Sequence, residues 1–257
     1  MNEPLPSDIL LEVRDVSHTF QHRGVRRPAL KNVSFDLPAK RTLAIVGESG
    51  AGKTTLARIV AGLEQPTNGS VSIEGERPRL TAGRPSPAQM VFQDPGDALN
   101  SFLPVGRSVA APLRQLNRSR RRERTSELLR SVGLDPTRAN ERPGSFSGGQ
   151  QQRIVVARAL AASPKLLVCD EPTSALDVSV QGQVLNLLLE LQDSLGFSVL
   201  LVTHDLAVVR VLADEVIVLR HGVVLEHATA DDFFANPTHP YSRTLVKEAD
   251  HTGHHRI

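Results

Sequence analysis

The sequence predicts an α/β fold: a parallel sheet whose strands are joined through helices, opened by an antiparallel β region and interrupted by a helical insert. Three observations carry this. Short continuous apolar runs, TLAIVG (residues 42–47), LLVCDE (166–171) and SVLLVTH (198–204), have the look of strands buried on both faces. Helix-length segments join each run to its neighbours, as parallel pairing requires. A length of 257 residues with 40% hydrophobic and 23% charged side chains is enough to bury a core and excludes wholesale disorder.

The elements follow in chain order. Alternation over residues 9–20 and 29–37 suits two half-buried antiparallel strands, with the charged HRGVRR between them as their loop. The first buried strand closes in a Gly-rich turn, and residues 54–63 continue with helical spacing. Residues 94–149 differ: β-branched runs are few, Pro and Gly are frequent, and residues 119–133 form a charged helical stretch, so this segment reads as an inserted helical subdomain. RIVVARALA, from Arg153, is again helical in spacing. Past His204, DLAVVRVLA reads as a helix and EVIVLRHGVVLEH as a hairpin turning at His221 and Gly222. The core ends near there, no internal repeat is evident, and residues 248–257 read as a polar, frayed tail.

Charge and cysteine usage narrow the classes. Thirty Lys and Arg against 28 Asp and Glu leave a formal charge of +2, a near balance that does not call for nucleic acid as a partner. The longest stretch free of Asp, Glu, Lys and Arg, residues 178–189, is twelve residues long, whereas a membrane-spanning helix needs about 20 apolar ones, so no crossing is expected. Cys169 is the only cysteine, which excludes a disulfide within the chain. MNEPLPSDIL lacks the basic and apolar regions of a signal peptide, and a cytosolic compartment is expected.

Gly47-Glu48-Ser49-Gly50-Ala51-Gly52-Lys53-Thr54 satisfies the phosphate-loop pattern and lies between a predicted strand and a predicted helix, as its mechanism demands. The glycines let backbone N–H groups turn inward around phosphates, and the helix that follows adds its positive end. Lys53 reaches the β and γ phosphates, and the Thr54 hydroxyl ligates Mg²⁺. Asp170 stands at the carboxyl end of a buried strand, where an open α/β sheet presents residues to ligands, and can hold the hydration shell of Mg²⁺. Next to it, Glu171 can polarise a water for in-line attack on the γ phosphate; a pair of solvated acids is the structural alternative. Ser147, Gly148, Gly149 and Gln150 open a predicted helix, a second anion site whose plainer reading is a Ser147 cap.

Together these residues resemble the ATP-binding subunit of ABC transporters over most of the chain. In that resemblance residues 47–54 are the Walker A loop, with Thr55 after it, and Gln93 in VFQDP is the Q-loop glutamine, a further Mg²⁺ ligand. FSGGQ (146–150) is the signature, Asp170 and Glu171 are the Walker B aspartate and catalytic glutamate, SALD (174–177) is the D-loop, and His204 is the switch histidine. Phe20 falls where the family sets an aromatic ring against adenine. VFQDPGDALNSFLPVGRSV and NPTHPYSRTLV (236–246) narrow the resemblance to dipeptide, oligopeptide and nickel importers; as bare residues, the second is a capping loop over the last helix.

The resemblance implies a P-loop NTPase (RecA-like) core with an N-terminal antiparallel β subdomain and an inserted α-helical subdomain. One ATP-binding domain would span residues 1–247: core at 1–93 and 150–222, helical subdomain at 94–149, C-terminal hairpin and oligopeptide-transporter-type segment at 223–247, and a disordered tail at 248–257. Phe146 for the usual Leu, Phe20 for the commoner Tyr, and Ala51 and Thr54 for Ser are mild departures. Larger relatives carry a C-terminal cysteine cluster for iron and sulfur; with no cysteine past Tyr241, no such cluster is expected.

The resemblance further implies ATP and Mg²⁺ as ligands and catalysis by Glu171, His204 and Lys53. Its partners would be a second ABC ATPase subunit, identical or homologous, integral-membrane permease subunits and, indirectly, an extracytoplasmic solute-binding protein, at the cytoplasmic face of the cell membrane. Each ATP would lie between the phosphate loop of one subunit and the signature of the other, and the surface beside Gln93 would dock a permease helix. Soluble ABC ATPases that act on nucleic acid share these motifs, but their coiled-coil, zinc-finger or tandem insertions have no counterpart here. A kinase would have no use for FSGGQ or SALD. Arg120, Arg121, Arg122 and Arg124 interleave with Glu123 and Glu127 as on a solvated helix face. His251, His254 and His255 lie in the polar tail without a supporting acid or cysteine for a metal.

Overall fold

A computed structural model describes residues 9–22, 25–78 and 86–253. The chain divides into two compact units, Met1–Pro78 with Ser198–Ile257, and Arg79–Phe197.

The first unit holds both kinds of sheet. Strands β1 (Ile9–His22), β2 (Val25–Pro38) and β4 (Asn68–Ile73) form an antiparallel sheet in the order β2-β1-β4. Its inward residues Leu11, Val13, Val16, Leu30, Val33, Phe35 and Leu37 are buried, as alternation foretold. The β1–β2 ladder is broken near its middle, where Asp15 and Asn32 both adopt φ of 49° and serine hydroxyls replace missing backbone partners: Asp15 N–H donates to Ser34 Oγ at 2.8 Å and Asn32 N–H to Ser17 Oγ at 2.9 Å. The two strands also run into the charged segment that the sequence assigned to a loop, with Gln21 opposite Arg26 and His22 opposite Val25. Backbone pairing is indifferent to exposed charged side chains, so His22 and residues 25–27 add length to the ladder without needing a core.

Strand β3 (Thr42–Val46) is buried at every residue and pairs in parallel with β7 (Ser198–Thr203) and β8 (Glu215–Arg220); β9 (Val223–Thr229) returns antiparallel to β8. The β8–β9 turn is the predicted one, with φ of 49° at His221 and 77° at Gly222, both in the left-handed region that such a tight turn demands. Asp214 fastens the entry to β3, accepting from the Thr42 N–H at 2.7 Å and from Arg41 at 2.6 Å. Helices α1 (Lys53–Val60), α7 (Leu206–Leu212), α8 (Ala230–Ala235) and α9 (Pro240–Gly253) complete the unit. The last of them runs through residues 248–253, where the sequence suggested a frayed tail; residues 254–257, with His254 and His255, lie outside the described residues.

In the second unit β5 (Ala88–Val91) and β6 (Leu166–Asp170) pair in parallel. Around them stand α2 (Pro95–Ala98), α3 (Val105–Val109), α4 (Arg118–Ser131), α5 (Gly148–Leu160) and α6 (Val178–Leu195). Polar caps fix several starts: Asp94 for α2, Asn117 for α4, Ser147 for α5 and Asp177 for α6 each accept a backbone N–H of the first turn. The unit is wider than the helical insert read from sequence because α5 and β6 pack within it. Ile154, Val155, Val156, Leu166, Leu167 and Val168 are all at most 1% exposed, and each such side chain contributes about 1.5–3 kcal/mol.

The basic stretch sits on α4, with Arg120 and Arg122 exposed and two of its arginines bonded to neighbours. Arg121 donates to the carbonyls of Arg114 and Leu116 at 2.9 and 3.0 Å, and Arg124 pairs with Glu127 at 2.9 Å. No described helix is long and apolar enough to cross a membrane.

Candidate functional site

In the first unit residues 47–52 leave β3 and lead into α1, the strand–loop–helix order that the pattern needs. Glycine is dictated by crowding at both ends of the loop. A side chain at Gly47 (φ 153°) would run into the Leu219 carbonyl, and one at Gly52 (φ 103°) would lie 2.5 Å from the Ala29 carbonyl oxygen. Gly50 (φ 81°) has open space where a side chain would be. The loop is pinned from behind: Gly222 N–H donates to the Ala51 carbonyl at 2.9 Å, while the Gly222 carbonyl accepts from Lys31 N–H at 2.9 Å.

Lys53 is only 6% exposed, and its ammonium donates to the carbonyls of Gly47 at 2.7 Å and Glu48 at 3.0 Å. A buried ammonium needs such acceptors; curled over its own loop, it stands where an incoming phosphate oxygen can replace them. Thr54 is exposed and Thr55 half-buried at the start of α1, and Glu48, Ser49 and Gly50 are exposed. Phe20 is 44% exposed, with the buried His18 ring edge-on to it at 4.6 Å. His204 is exposed directly after β7, followed by Asp205, which caps α7 through the Ala207 N–H at 2.9 Å.

In the second unit Asp170 ends β6 and is 7% exposed. Glu171, half-buried, has φ of 48°, a left-handed conformation that costs a residue with a side chain roughly 1–2 kcal/mol. Strain of this kind gathers where a side chain must be aimed. The reversal is held by the Glu171 carbonyl, which accepts from the Ser174 N–H at 3.2 Å and its hydroxyl at 3.1 Å. Sequence reading could not foresee this backbone, since nothing in Glu-Pro-Thr-Ser marks a positive φ. Asp177, at the end of SALD, caps α6; the Ser179 hydroxyl and the Val180 amide hold its carboxyl below the usual range.

Ser147 caps α5 reciprocally with Gln150: Gln150 N–H donates to Ser147 Oγ at 3.4 Å and Ser147 N–H to Gln150 Oε1 at 3.1 Å. The cap uses a lone pair of the hydroxyl and leaves its proton for an acceptor outside. Gly148 is exposed beside it and Gly149 buried. Gln93 is exposed just beyond β5. Helix α5 is tied to the chain on both sides of Gln93: Gln152 donates to the Phe92 carbonyl at 3.5 Å, and the Arg158 guanidinium, its pKa lowered by burial, bonds the Ala98 carbonyl. Farther along, Phe102 is 79% exposed and Leu103 is exposed beside it. Cys169, in β6, is sealed: burial and the neighbouring Asp170 push its thiol up to about 12.

Known proteins are similar to this chain in sequence and fold. The ABC transporter family profile matches residues 30–174. The di/tripeptide transport ATP-binding protein DppF of Pseudomonas aeruginosa is 44% identical, covering 93% of this chain and 78% of its own. The oligopeptide transport ATP-binding protein OppF of Escherichia coli is 41% identical, covering 93% and 77%. Among solved structures, the dimeric post-hydrolysis state of the ATP-binding cassette MJ0796, bound to ADP and Pi, superposes with a TM-score of 0.75 at 31% identity, covering 86% of this chain and 99% of that one. CbiO1 of Clostridium perfringens, part of the cbiONQ transporter complex, gives 0.78 at 27% identity, covering 96% and 98%. With the family profile, the curated relatives and the superposed cassettes in agreement, the chain belongs to the ABC transporter family, as one of its ATP-binding, ATP-hydrolysing subunits.

Proposed function

We propose that this subunit powers import of peptides through a separate membrane permease, at the cytoplasmic face of the membrane, together with a second cassette that is identical or homologous. The observation that carries the ATPase chemistry is the buried Lys53 ammonium, held by the carbonyls of a loop that opens onto a helix N-terminus. The names of the relatives, DppF and OppF, favour peptide as the cargo. A solute-binding protein outside the membrane would supply it.

In this reading residues 47–55 grip the phosphates, Lys53 exchanges its loop carbonyls for β- and γ-phosphate oxygens, and Phe20 stacks on adenine. Thr54, Gln93 and Asp170 offer a hydroxyl, an amide oxygen and a carboxylate, hard oxygen donors that suit Mg²⁺. When bound, that ion neutralises phosphate charge. Glu171 takes up a proton from the attacking water as its oxygen bonds to the γ phosphorus and the bond to the β-phosphate oxygen breaks, giving ADP and phosphate. His204 and Lys53 stabilise the charge that gathers on the transferred group. Ser147, Gly148, Gly149 and Gln150 present a hydroxyl and helix amides to the nucleotide of the partner cassette. Residues 93–106, with Phe102 and Leu103 exposed, form the surface for a permease helix, and the bond from Arg158 to the Ala98 carbonyl connects that surface to the signature helix.

The test is the chain reconstituted with its permease in liposomes. Glu171→Gln is expected to bind ATP normally and lose turnover by about 10²- to 10⁴-fold; near-wild-type hydrolysis would remove Glu171 from its role. Ser147→Arg is expected to abolish both hydrolysis and peptide uptake, and unchanged uptake would sink the shared-site reading.

A further inference from the structure

The stretch NPTHPYSRTLV has no part in the chemistry above, yet it is tied firmly into the first unit. The Glu226 carboxylate of β9, 7% exposed, accepts the N–H groups of Thr238 at 2.8 Å and His239 at 2.9 Å. Arg243 reaches back from α9 to the carbonyls of Pro237 at 3.1 Å and Thr238 at 2.7 Å, and His239 Nδ1 accepts the Tyr241 N–H at 3.1 Å. This braced turn delivers one side chain to the phosphate loop. Tyr241 is 8% exposed, its ring lies 4.4 Å from the Arg220 guanidinium, and its hydroxyl accepts the backbone N–H of Glu48 at 3.2 Å across 193 residues of sequence.

We propose that Tyr241 is a positioning residue for the phosphate loop, and that the turn clamped by Glu226 is the strut holding it in place. This rests on reading residues 47–54 as the site of the nucleotide's phosphates. The Glu48 backbone is held at both its polar groups: its N–H by Tyr241, its carbonyl by the Lys53 ammonium at 3.0 Å and the Ala51 N–H at 3.2 Å. When Lys53 turns to a phosphate, the carbonyl gives up one of these partners while the grip of Tyr241 persists. The hydroxyl therefore matters most in the nucleotide-bound loop, and a loop shaped in advance binds more tightly than one ordered on arrival. Burial, with the Glu48 carboxylate adding to it, raises the Tyr241 pKa above its ordinary value, so the phenol keeps its proton at neutral pH.

Tyr241→Phe removes the hydroxyl and keeps the ring over which Arg220 lies. In the full chain, with a fluorescent non-hydrolysable ATP analogue as probe, affinity is expected to fall about 3- to 10-fold, the worth of one neutral hydrogen bond. KM for ATP should rise by the same factor with kcat little changed. Amide exchange at Glu48 should accelerate while that of β3 stays as in the wild type, a local signature that general loosening would not give. Glu226→Gln should weaken binding in the same sense, and less so when Phe already stands at 241, because both act through one contact; it also serves if Tyr241→Phe folds poorly. Lys53→Ala is the control. If it abolishes binding while Tyr241→Phe and Glu226→Gln leave affinity and Glu48 exchange untouched, the strut is refuted and the phosphate loop stands. If Lys53→Ala binds the analogue normally, the loop reading falls and the strut with it.

Discussion

The two glycine turns that open helices, at residues 47–52 and 147–149, look alike on paper and differ in how they are held and in which of their glycines packing requires. In the first, glycine makes room for other parts of the same unit, since the carbonyls of Leu219 and Ala29 stand where side chains would go. The turn at 147–149 closes on itself through the Ser147–Gln150 cap; there Gly149 clears the Val180 side chain, and Gly148 meets only Leu176 Cδ2 at an ordinary 3.5 Å. Folding thus demands glycine at 47 and 52 but not at 148. A glycine that packing does not require is left to serve approach from outside, as a phosphate coming close to the helix amides would need.

That contrast can be broken at a sequence of positions. Gly52→Ala is expected to cost about 2–5 kcal/mol, combining a left-handed φ with a carbonyl at 2.5 Å, and to abolish nucleotide binding. Denaturant unfolding and an ATP titration would check it; a loss below about 1 kcal/mol would show the loop to be pliable. Gly149→Ala should cost about 1–3 kcal/mol, much of it recovered in the double variant with Val180→Ala, and strictly additive penalties would mean that Val180 is not the obstacle. Gly148→Ala is the sharpest, for stability should stay within about 0.5 kcal/mol of wild type while turnover drops at least tenfold. Full activity in that variant would return Gly148 to the role of a mere helix start.

Much of this was legible in the sequence because it is local. TLAIV, LLVCD and SVLLVT announce themselves as strands by continuous apolarity, and the His221-Gly222 turn by its residue types. Strand β4, with only Val71 and Ile73 buried among Asn, Gly and Ser, and β5, four residues long, are too polar or too short to give a period. Helices α2 and α3 are a single turn or little more, set by a cap or a proline. The candidate site was read as a set of residue types at the right spacing; the left-handed backbone of Glu171 and the bond between Tyr241 and Glu48 were not. One arises from how a strand end is turned, the other joins residues 193 apart, and neither leaves a local trace.

The sealed thiol of Cys169 has a practical corollary. With burial and Asp170 keeping it protonated far above neutral pH, reagents that seek thiolates find nothing to attack in the native chain. A single cysteine introduced on the surface, at Phe102 for instance, would then carry a spin label or dye with no background, and the wild-type sequence itself serves as the unlabelled blank.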